Sequence, residues 1–304
     1  MKKNKFLFCI GLLLTVATIV NAQSVTWISS TEGNVWQKSK VKLQSKSEQN
    51  PVLQVDGTEN GVAFKNWGTT FNELCWDALG LLTRTEQDEI LYNIFSPQGD
   101  LRITRGRISM GANDYARSWY SCDEVEGDFE LRYFNINRDK QTIIPFIRAA
   151  QKYNPNLTFW ISPWCPPSWM KINGDYPVLS SPFNSLSEKQ NYLLYGATGG
   201  QVDENEMKLT GARDGVFPRQ LATTDFMIQD PRYLQTYADY FCRFIDAYKE
   251  QGIPIDMVMY QNEAYSYTPY PGCAWTATGT IRFNKEYLAP TLRQMHPEAL
   301  FRYF

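Results

Sequence analysis

Short apolar runs alternate with longer amphipathic stretches along most of this chain. Runs of this kind, bounded by turn residues and rich in β-branched and aromatic side chains, are typical of buried parallel strands. They occupy residues 61–67, 101–110, 157–161 and 255–263, and residues 296–301 resemble the start of a fifth. Between them, helical spacing predicts helices that begin at Thr85, at Asn137 or Asp139, and at Asp230, with a fourth over 284–295.

Strands and helices that alternate in units of about 30 residues or more predict an α/β fold with a parallel sheet. Right-handed crossovers leave two architectures open, the (β/α)8 barrel and the doubly wound sheet. The hydrophobic pattern alone does not choose between them. The polar insertion over 184–225 is long enough to predict a lid, a binding loop or a disordered segment.

The first 60 residues differ in character from the rest. Residues 1–22 combine three early lysines, an apolar core from Phe6 to Val20 and a small-residue cleavage site, which predicts a signal peptide. We therefore expect export to an extracellular or periplasmic location. The apolar core is too short for a transmembrane segment. Residues 23–60 predict short strands around 25–28, 35–36 and 41–43.

Charge and residue counts exclude several classes of function. The net charge is −2, which gives no reason to expect a nucleic-acid partner. The one histidine, His296, argues against a Ser-His-Asp triad, and the five cysteines that remain after cleavage form no C-x-x-C pair, so neither a metal site nor a cofactor is expected. Aromatic residues make up 14% of the chain, which suits either a carbohydrate site or an aromatic core.

The stretch from Ile255 to Glu263 carries the strongest indication of chemistry. An apolar run ends in the polar triplet Gln261, Asn262 and Glu263, with the carboxylate as the last residue of the predicted strand. Enzymes with parallel sheets place their reacting groups at the carboxyl ends of strands. A solvated ion pair at a strand end is the alternative interpretation of Glu263.

Several blocks in the right order make the chain resemble glycoside hydrolase family 30, the glucosylceramidase-like family. These blocks are Pro163-Trp164, Pro166-Pro167-Ser168-Trp169-Met170-Lys171, Gln261-Asn262-Glu263 and Tyr270-Pro271-Gly272-Cys273. The resemblance runs with gaps from about Gly61 to His296. It implies a (β/α)8 TIM barrel with an attached β-domain, to which residues 23–60 would contribute strands, and a secreted retaining enzyme that cleaves β-glycosidic bonds of sphingolipid or β-glucan type.

The resemblance also implies roles for individual residues. Glu263 matches the family's acid/base, and Asn262 matches the neighbour that binds the sugar 2-hydroxyl. Asp114 matches an aspartate that binds sugar hydroxyls, and Trp164 an aromatic that flanks the sugar; rim packing is the alternative for Trp164. Arg107 matches an arginine beneath the catalytic pair, with an ordinary structural ion pair as the alternative.

The chain departs from the family pattern in one major respect. The family's nucleophile is a glutamate at the end of the seventh strand, and no residue of this sequence matches it. Residues 61–304 predict only about four strand–helix units, so the barrel is expected to be incomplete, roughly its first half. Two alternatives therefore stand beside the enzyme: a truncated, catalytically inactive relative, and a noncatalytic carbohydrate-binding fragment. In each case the expected partner is a carbohydrate or glycolipid.

Overall fold

The computed structural model describes residues 24–42, 66–178, 225–264, 266 and 268–302. The chain divides into two compact units, Met1–Ala63 and Phe64–Phe304. In the first unit, β1 (Ser24–Thr31) pairs with β2 (Asn34–Lys42) in an antiparallel hairpin that turns at Gly33, where φ is +78°. The predicted signal peptide and residues 184–224 of the predicted insertion lie outside the described residues.

The second unit contains five strands and six α-helices among its described residues. In chain order these are β3 (Gly68–Phe71), α1 (Glu73–Gly80), α2 (Arg84–Phe95), β4 (Arg105–Ser109), α3 (Ile143–Gln151), β5 (Thr158–Ser162), α4 (Pro231–Glu250), β6 (Ile255–Met259), α5 (Ala277–Arg282), α6 (Ala289–Met295) and β7 (Leu300–Arg302). A π-helical segment, Phe283–Leu288, joins α5 to α6.

The five strands form one parallel sheet whose order, β3-β4-β5-β6-β7, follows the chain. A doubly wound sheet reverses its strand order at a switch point, where two neighbouring crossovers lead in opposite directions. Within the described strands there is no such reversal. The strand order therefore agrees with a barrel and with the predicted α/β class.

The two faces of the sheet differ in burial. One face carries Gly106, Ile108, Phe159, Ile161 and Val258, all buried beneath the helices. The opposite face is half-buried; it carries polar and charged side chains, among them Arg105, Arg107 and Thr158, together with the ring of Trp160. Alternation along each strand thus separates an apolar packing face from a polar face.

Aromatic rings fill the layer between the sheet and its helices. Phe71 lies at the centre, with ring centroids 5.7 Å from Phe95 on α2, 4.8 Å from Phe146 on α3 and 6.0 Å from Phe159 on β5. Gly106 on β4 leaves room for this cluster, because a Cβ atom there would lie 2.4 Å from the Phe71 ring and 3.0 Å from the Phe159 ring.

Helix α4 confirms the periodicity predicted for it. It begins at Pro231, and the Asp230 side chain accepts a hydrogen bond from the backbone N–H of Arg232 at 2.8 Å. The six positions predicted for its apolar stripe are all buried: Leu234, Tyr237, Phe241, Phe244, Ile245 and Tyr248.

Several predicted boundaries were wrong. Of the predicted strand 61–67, residues 61–65 lie outside the described part and the strand runs instead from Gly68. The cap of α2 is Thr83, not Thr85, because Thr83 and Glu86 form a reciprocal capping box. Helix α1 was not predicted, and the last helical region begins at Ala277 rather than at 284.

A buried carboxyl group ties the loop after β4 to helix α4. Asp139 is 0% exposed; its Oδ1 accepts a hydrogen bond from the Tyr120 hydroxyl at 2.6 Å and its Oδ2 from the Tyr248 hydroxyl at 2.7 Å. Burial raises the pKa of Asp139 to about 6, and the two phenol hydrogen bonds oppose that rise without cancelling it.

We expect Gly106→Ala to destabilise the fold, because the added methyl group would enter the space of two packed rings. Overpacking of this kind costs about 1–3 kcal/mol in the free energy of unfolding. Gly80→Ala is the control, since nothing lies within 4 Å of a Cβ atom built there. Denaturant unfolding measures both, and equal stabilities for the two variants would contradict the packing described.

A second prediction concerns pH. Because the folded-state pKa of Asp139 lies above the ordinary aspartate value of about 4, the native state retains a proton that the unfolded state loses, and stability falls as pH rises from about 4 to about 6. Asp139→Asn cannot titrate there. The stability of the native sequence relative to this variant should fall by roughly 2–3 kcal/mol across that range. A difference that stays constant from pH 4 to pH 7 would refute this.

Candidate active site

Three loops leave the carboxyl ends of β4, β5 and β6 at the same edge of the sheet. The first carries Asp114, the second carries Trp164, and the third carries Asn262 and Glu263. Because the strands are parallel and adjacent, the loops converge, and all five predicted site residues lie on or beside this edge. The fifth is Arg107, which is on β4 itself.

Arg107 joins the ends of β5 and β6. Its Nε and Nη2 atoms donate to Ser162 Oγ at 3.0 and 2.7 Å, and Nη2 also donates to Asn262 Oδ1 at 2.6 Å. The guanidinium carbon lies 5.1 Å from the ring centroid of Trp160 and 5.6 Å from that of Trp164. These two distances are within the range of cation–π attraction.

The ionisation of Arg107 and of Asp114 responds to the charges around them. Burial lowers the pKa of Arg107, whereas the negative charges of Asp114 and Glu263 act in the opposite direction. Partial desolvation raises the pKa of Asp114, although its side chain reaches water; Arg107 opposes the rise and Glu263 adds to it. The edge of the sheet thus holds two carboxyl groups around one fixed cation.

Glu263 does not end a strand, contrary to prediction. Strand β6 stops at Met259, and Glu263 lies in the following loop with its side chain exposed. Its φ is +47°, in the left-handed region that residues with a Cβ seldom adopt, and its carbonyl accepts a hydrogen bond from the N–H of Ser266 at 2.9 Å. Uncommon backbone conformations of this kind cluster at functional sites.

Two aromatic side chains, Trp164 and Tyr270, form an aromatic wall that lies beside the carboxyl groups. The rings of Trp164 and Tyr270 lie 5.7 Å apart at an interplanar angle of 56°. Burial raises the pKa of Tyr270, and the negative charges of Glu263 and Asp114 raise it further. From the sequence, Tyr270 was noted only as the first residue of the motif Tyr270-Pro271-Gly272-Cys273, and no role was predicted for it.

A buried lysine fixes the loop that contains Tyr176. Lys171 is 2% exposed, and its Nζ donates to the backbone carbonyls of Asp175, Tyr176 and Pro177 at 2.5, 2.7 and 3.2 Å. All three donors of the ammonium are therefore used. The same Tyr176 carbonyl accepts the N–H of Gly272 at 3.0 Å, which connects this loop to the one that carries Tyr270.

The sequence placed Gln261 in a motif but gave a role neither to it nor to Ser162. Ser162 is buried at the end of β5 as the acceptor for Arg107, and Gln261 is buried between the loops that follow β5 and β6. A polar residue within an otherwise apolar strand end was the available signal for both, but their partners are distant along the chain.

The described residues show three further features. They contain no group of three or more His, Cys, Asp or Glu side chains arranged to hold a metal ion. Cys75, Cys122, Cys165, Cys242 and Cys273 are free thiols, four of them buried. Within the same part of the chain, no helix is long and apolar enough to cross a membrane. The site thus offers carboxyl groups, an amide, a guanidinium and aromatic faces, which suit a neutral polyhydroxylated ligand.

Comparison with known proteins identifies relatives over much of the chain. Residues 64–181 match the model of the glycosyl hydrolase family 30 TIM-barrel domain. The Caenorhabditis elegans protein named "Putative glucosylceramidase 4" is 27% identical over 250 residues, which cover 82% of this chain and 40% of that protein. Endo-1,6-beta-D-glucanase neg1 of Aspergillus fumigatus is 25% identical over 252 residues, 81% of this chain and 45% of that protein. The chain spans less than half the length of both relatives.

Solved structures agree on the fold. SrfJ from Salmonella typhimurium superposes with a TM-score of 0.60 at 18% identity, covering 90% of this chain and 52% of that one. An endo-beta1,6-glucanase superposes with a TM-score of 0.56 at 21% identity, covering 79% and 43%. The family match and the relatives support the assignment of this chain to glycoside hydrolase family 30, and the solved structures agree with the fold of that family's barrel.

Proposed function

We propose that this chain forms part of a retaining glycoside hydrolase in which Glu263 is the acid/base. The observation that carries the proposal is the position of Glu263 at the carboxyl edge of the sheet, beside Asn262, whose side chain is fixed by Arg107 at 2.6 Å. Retaining glycosidases use one carboxyl group to protonate the leaving oxygen and later to activate water. Glu263 would give its proton to the leaving oxygen in the first step and take one from the attacking water in the second, and water can reach its exposed side chain.

The other groups have roles that fit a sugar ring. Asn262 Oδ1 accepts from Arg107, so its amide N–H is directed elsewhere and can donate to a 2-hydroxyl. Asp114 accepts from sugar hydroxyls at the opposite side of the site. The faces of Trp164 and Tyr270 cover the apolar C–H surface of the ring. Arg107 holds a positive charge below the reacting centre.

Retention also requires a nucleophile about 5–5.5 Å from the acid/base. No residue of this sequence matches the family's nucleophile, and Asp114 already has a place in sugar binding. We infer that β3 to β7 are the first five strands of a (β/α)8 barrel and that the nucleophile stands on the seventh strand of that barrel. The monotonic strand order supports this inference.

The substrate we propose is a β-linked glucoside. The similar proteins are named as glucosylceramidases and as endo-1,6-β-glucanases; both names describe glucosides, and the second specifies the β linkage. A sphingolipid headgroup and a β-glucan therefore remain the two substrate types. We also propose that residues 1–22 direct export and that residues 23–60, of which the β1–β2 hairpin is the described part, belong to an accessory β-domain.

One observation favours a second candidate, a carbohydrate-binding or inactive relative. The carboxylates whose charge acts on Arg107 are Asp114 and Glu263. Both already have other roles in the proposed mechanism, as sugar ligand and as acid/base, so neither serves as the nucleophile. Such a protein would keep Asp114 and Trp164 for binding without turnover. Saturable sugar binding without hydrolysis would distinguish it from the enzyme.

The test is Glu263→Gln in the complete barrel that includes the nucleophile, measured on glucosides with poor and good leaving groups. Loss of the acid should reduce turnover of an alkyl β-glucoside about 10²–10⁴-fold, the usual contribution of general acid catalysis. Formation of the glycosyl-enzyme from a 2,4-dinitrophenyl β-glucoside should change far less, because that leaving group needs no proton. Glu250→Gln, on the exposed end of α4, is the matched control. Near-normal turnover of the alkyl glucoside would remove Glu263 from the mechanism.

A further inference from the structure

We propose that Gln261 is a positioning residue for this site, whose buried carboxamide fixes Trp164 relative to Glu263. The proposal rests on the function proposed above and adds a residue that acts without touching the substrate. Gln261 is 6% exposed and lies between β6 and the loop that carries Glu263.

The hydrogen bonds of Gln261 use the whole amide group. Its Nε2 donates to the backbone carbonyl of Trp164 at 2.7 Å and to that of Asn262 at 3.0 Å. Its Oε1 accepts the indole N–H of Trp275 at 3.2 Å. Two donors and one acceptor are thus paired, and no other side chain of similar size offers this set.

These contacts enclose the segment that holds Glu263. The backbone N–H of Trp275 donates to the carbonyl of Ala264 at 2.6 Å, while its indole bonds to Gln261. Trp275 therefore fixes the residue after Glu263 and, through Gln261, the segment before it. Glu263 lies between them with its φ of +47°, so the surroundings have to maintain a conformation that the isolated backbone disfavours.

The same amide also positions the aromatic wall formed by Trp164 and Tyr270. The Trp164 carbonyl bonds to Gln261, and the N–H of Asn262 donates to the carbonyl of Pro163 at 2.8 Å, so the loops after β5 and β6 are joined twice. Trp164 in turn contacts Arg107 and Tyr270. Displacing Gln261 would shift the ring that covers the sugar relative to the acid that protonates it, a misplacement that can cost 10²-fold in rate.

Two variants of Gln261 separate positioning from general packing. Gln261→Met keeps the volume and removes every hydrogen bond. Gln261→Glu keeps the shape and the acceptor for Trp275 but, when ionised, lacks a donor for Trp164; a protonated carboxyl recovers one donor. Gln229→Met is the matched control, because Gln229 is half-buried and also donates to a backbone carbonyl, that of Met227 at 3.2 Å.

The experiment uses the complete barrel that includes the nucleophile. It measures kcat and KM for an alkyl β-glucoside between pH 5 and pH 7, with each variant compared with the unsubstituted protein at the same pH. Gln261→Met should lower kcat/KM roughly 10–100-fold at every pH. Gln261→Glu should show a similar loss at pH 7 that decreases toward pH 5, and Gln229→Met should show none. A variant Gln261→Met with native kcat/KM, or a defect of Gln261→Glu that ignores pH, would overturn the proposal.

Hydrogen exchange followed by mass spectrometry separates this outcome from failure of the proposed function. In Gln261→Met, peptides that cover 160–166 and 261–276 should exchange faster, while those of β3 and β4 stay unchanged. If the complete barrel hydrolyses no glycoside but these peptides respond, the proposed function fails and Gln261 keeps its role in loop position. If the complete barrel is active and exchange in both regions is unaltered, Gln261 is not a positioning residue.

Discussion

The hydrogen bonds of one half-buried guanidinium, Arg107, hold this site together. A charge removed from water is costly unless it is paired and hydrogen-bonded. Here Ser162 and Asn262 accept its N–H groups, and the carboxylates of Asp114 and Glu263 offset its charge. Because a guanidinium is planar and permanently charged, it fixes direction as well as distance. The end of β5 and the loop after β6 must therefore stay within reach of Arg107. The sheet and its helices keep them there.

The sheet meets this requirement through register and packing. Pairing places Arg107 beside Thr70 on β3 and Trp160 on β5, so the guanidinium leaves the sheet on its polar face. The opposite face is held by the aromatic layer around Phe71, for which Gly106 leaves space. A strand shifted by one residue would exchange the two faces and bury the arginine under the helices. Packing on one side of the sheet thus determines chemistry on the other.

Features of the fold and the site could be predicted from the sequence where the residues that determine them are close together along the chain. The stripe of α4 was predicted because helical spacing is local, and Glu263 could be proposed as a site residue because its motif is contiguous. The capping box at Thr83 was also local and was assigned two residues late. By contrast, β6 was extended to Glu263 because apolar character alone does not show where backbone pairing stops. The contact of Gln261 with Trp275, 14 residues away, and the three carbonyls around Lys171 depend on loop conformation, which no periodicity encodes.

A double-mutant cycle between Arg107 and Asn262 tests the central claim most directly. The free energies of unfolding of Arg107→Met, Asn262→Ala and the double variant are compared with that of the native protein. A charge-assisted hydrogen bond between the two side chains predicts a coupling energy of about 1.5–3 kcal/mol. Additive effects, within about 0.5 kcal/mol, would mean that Arg107 does not hold Asn262 in place, and the account of the site given above would be contradicted.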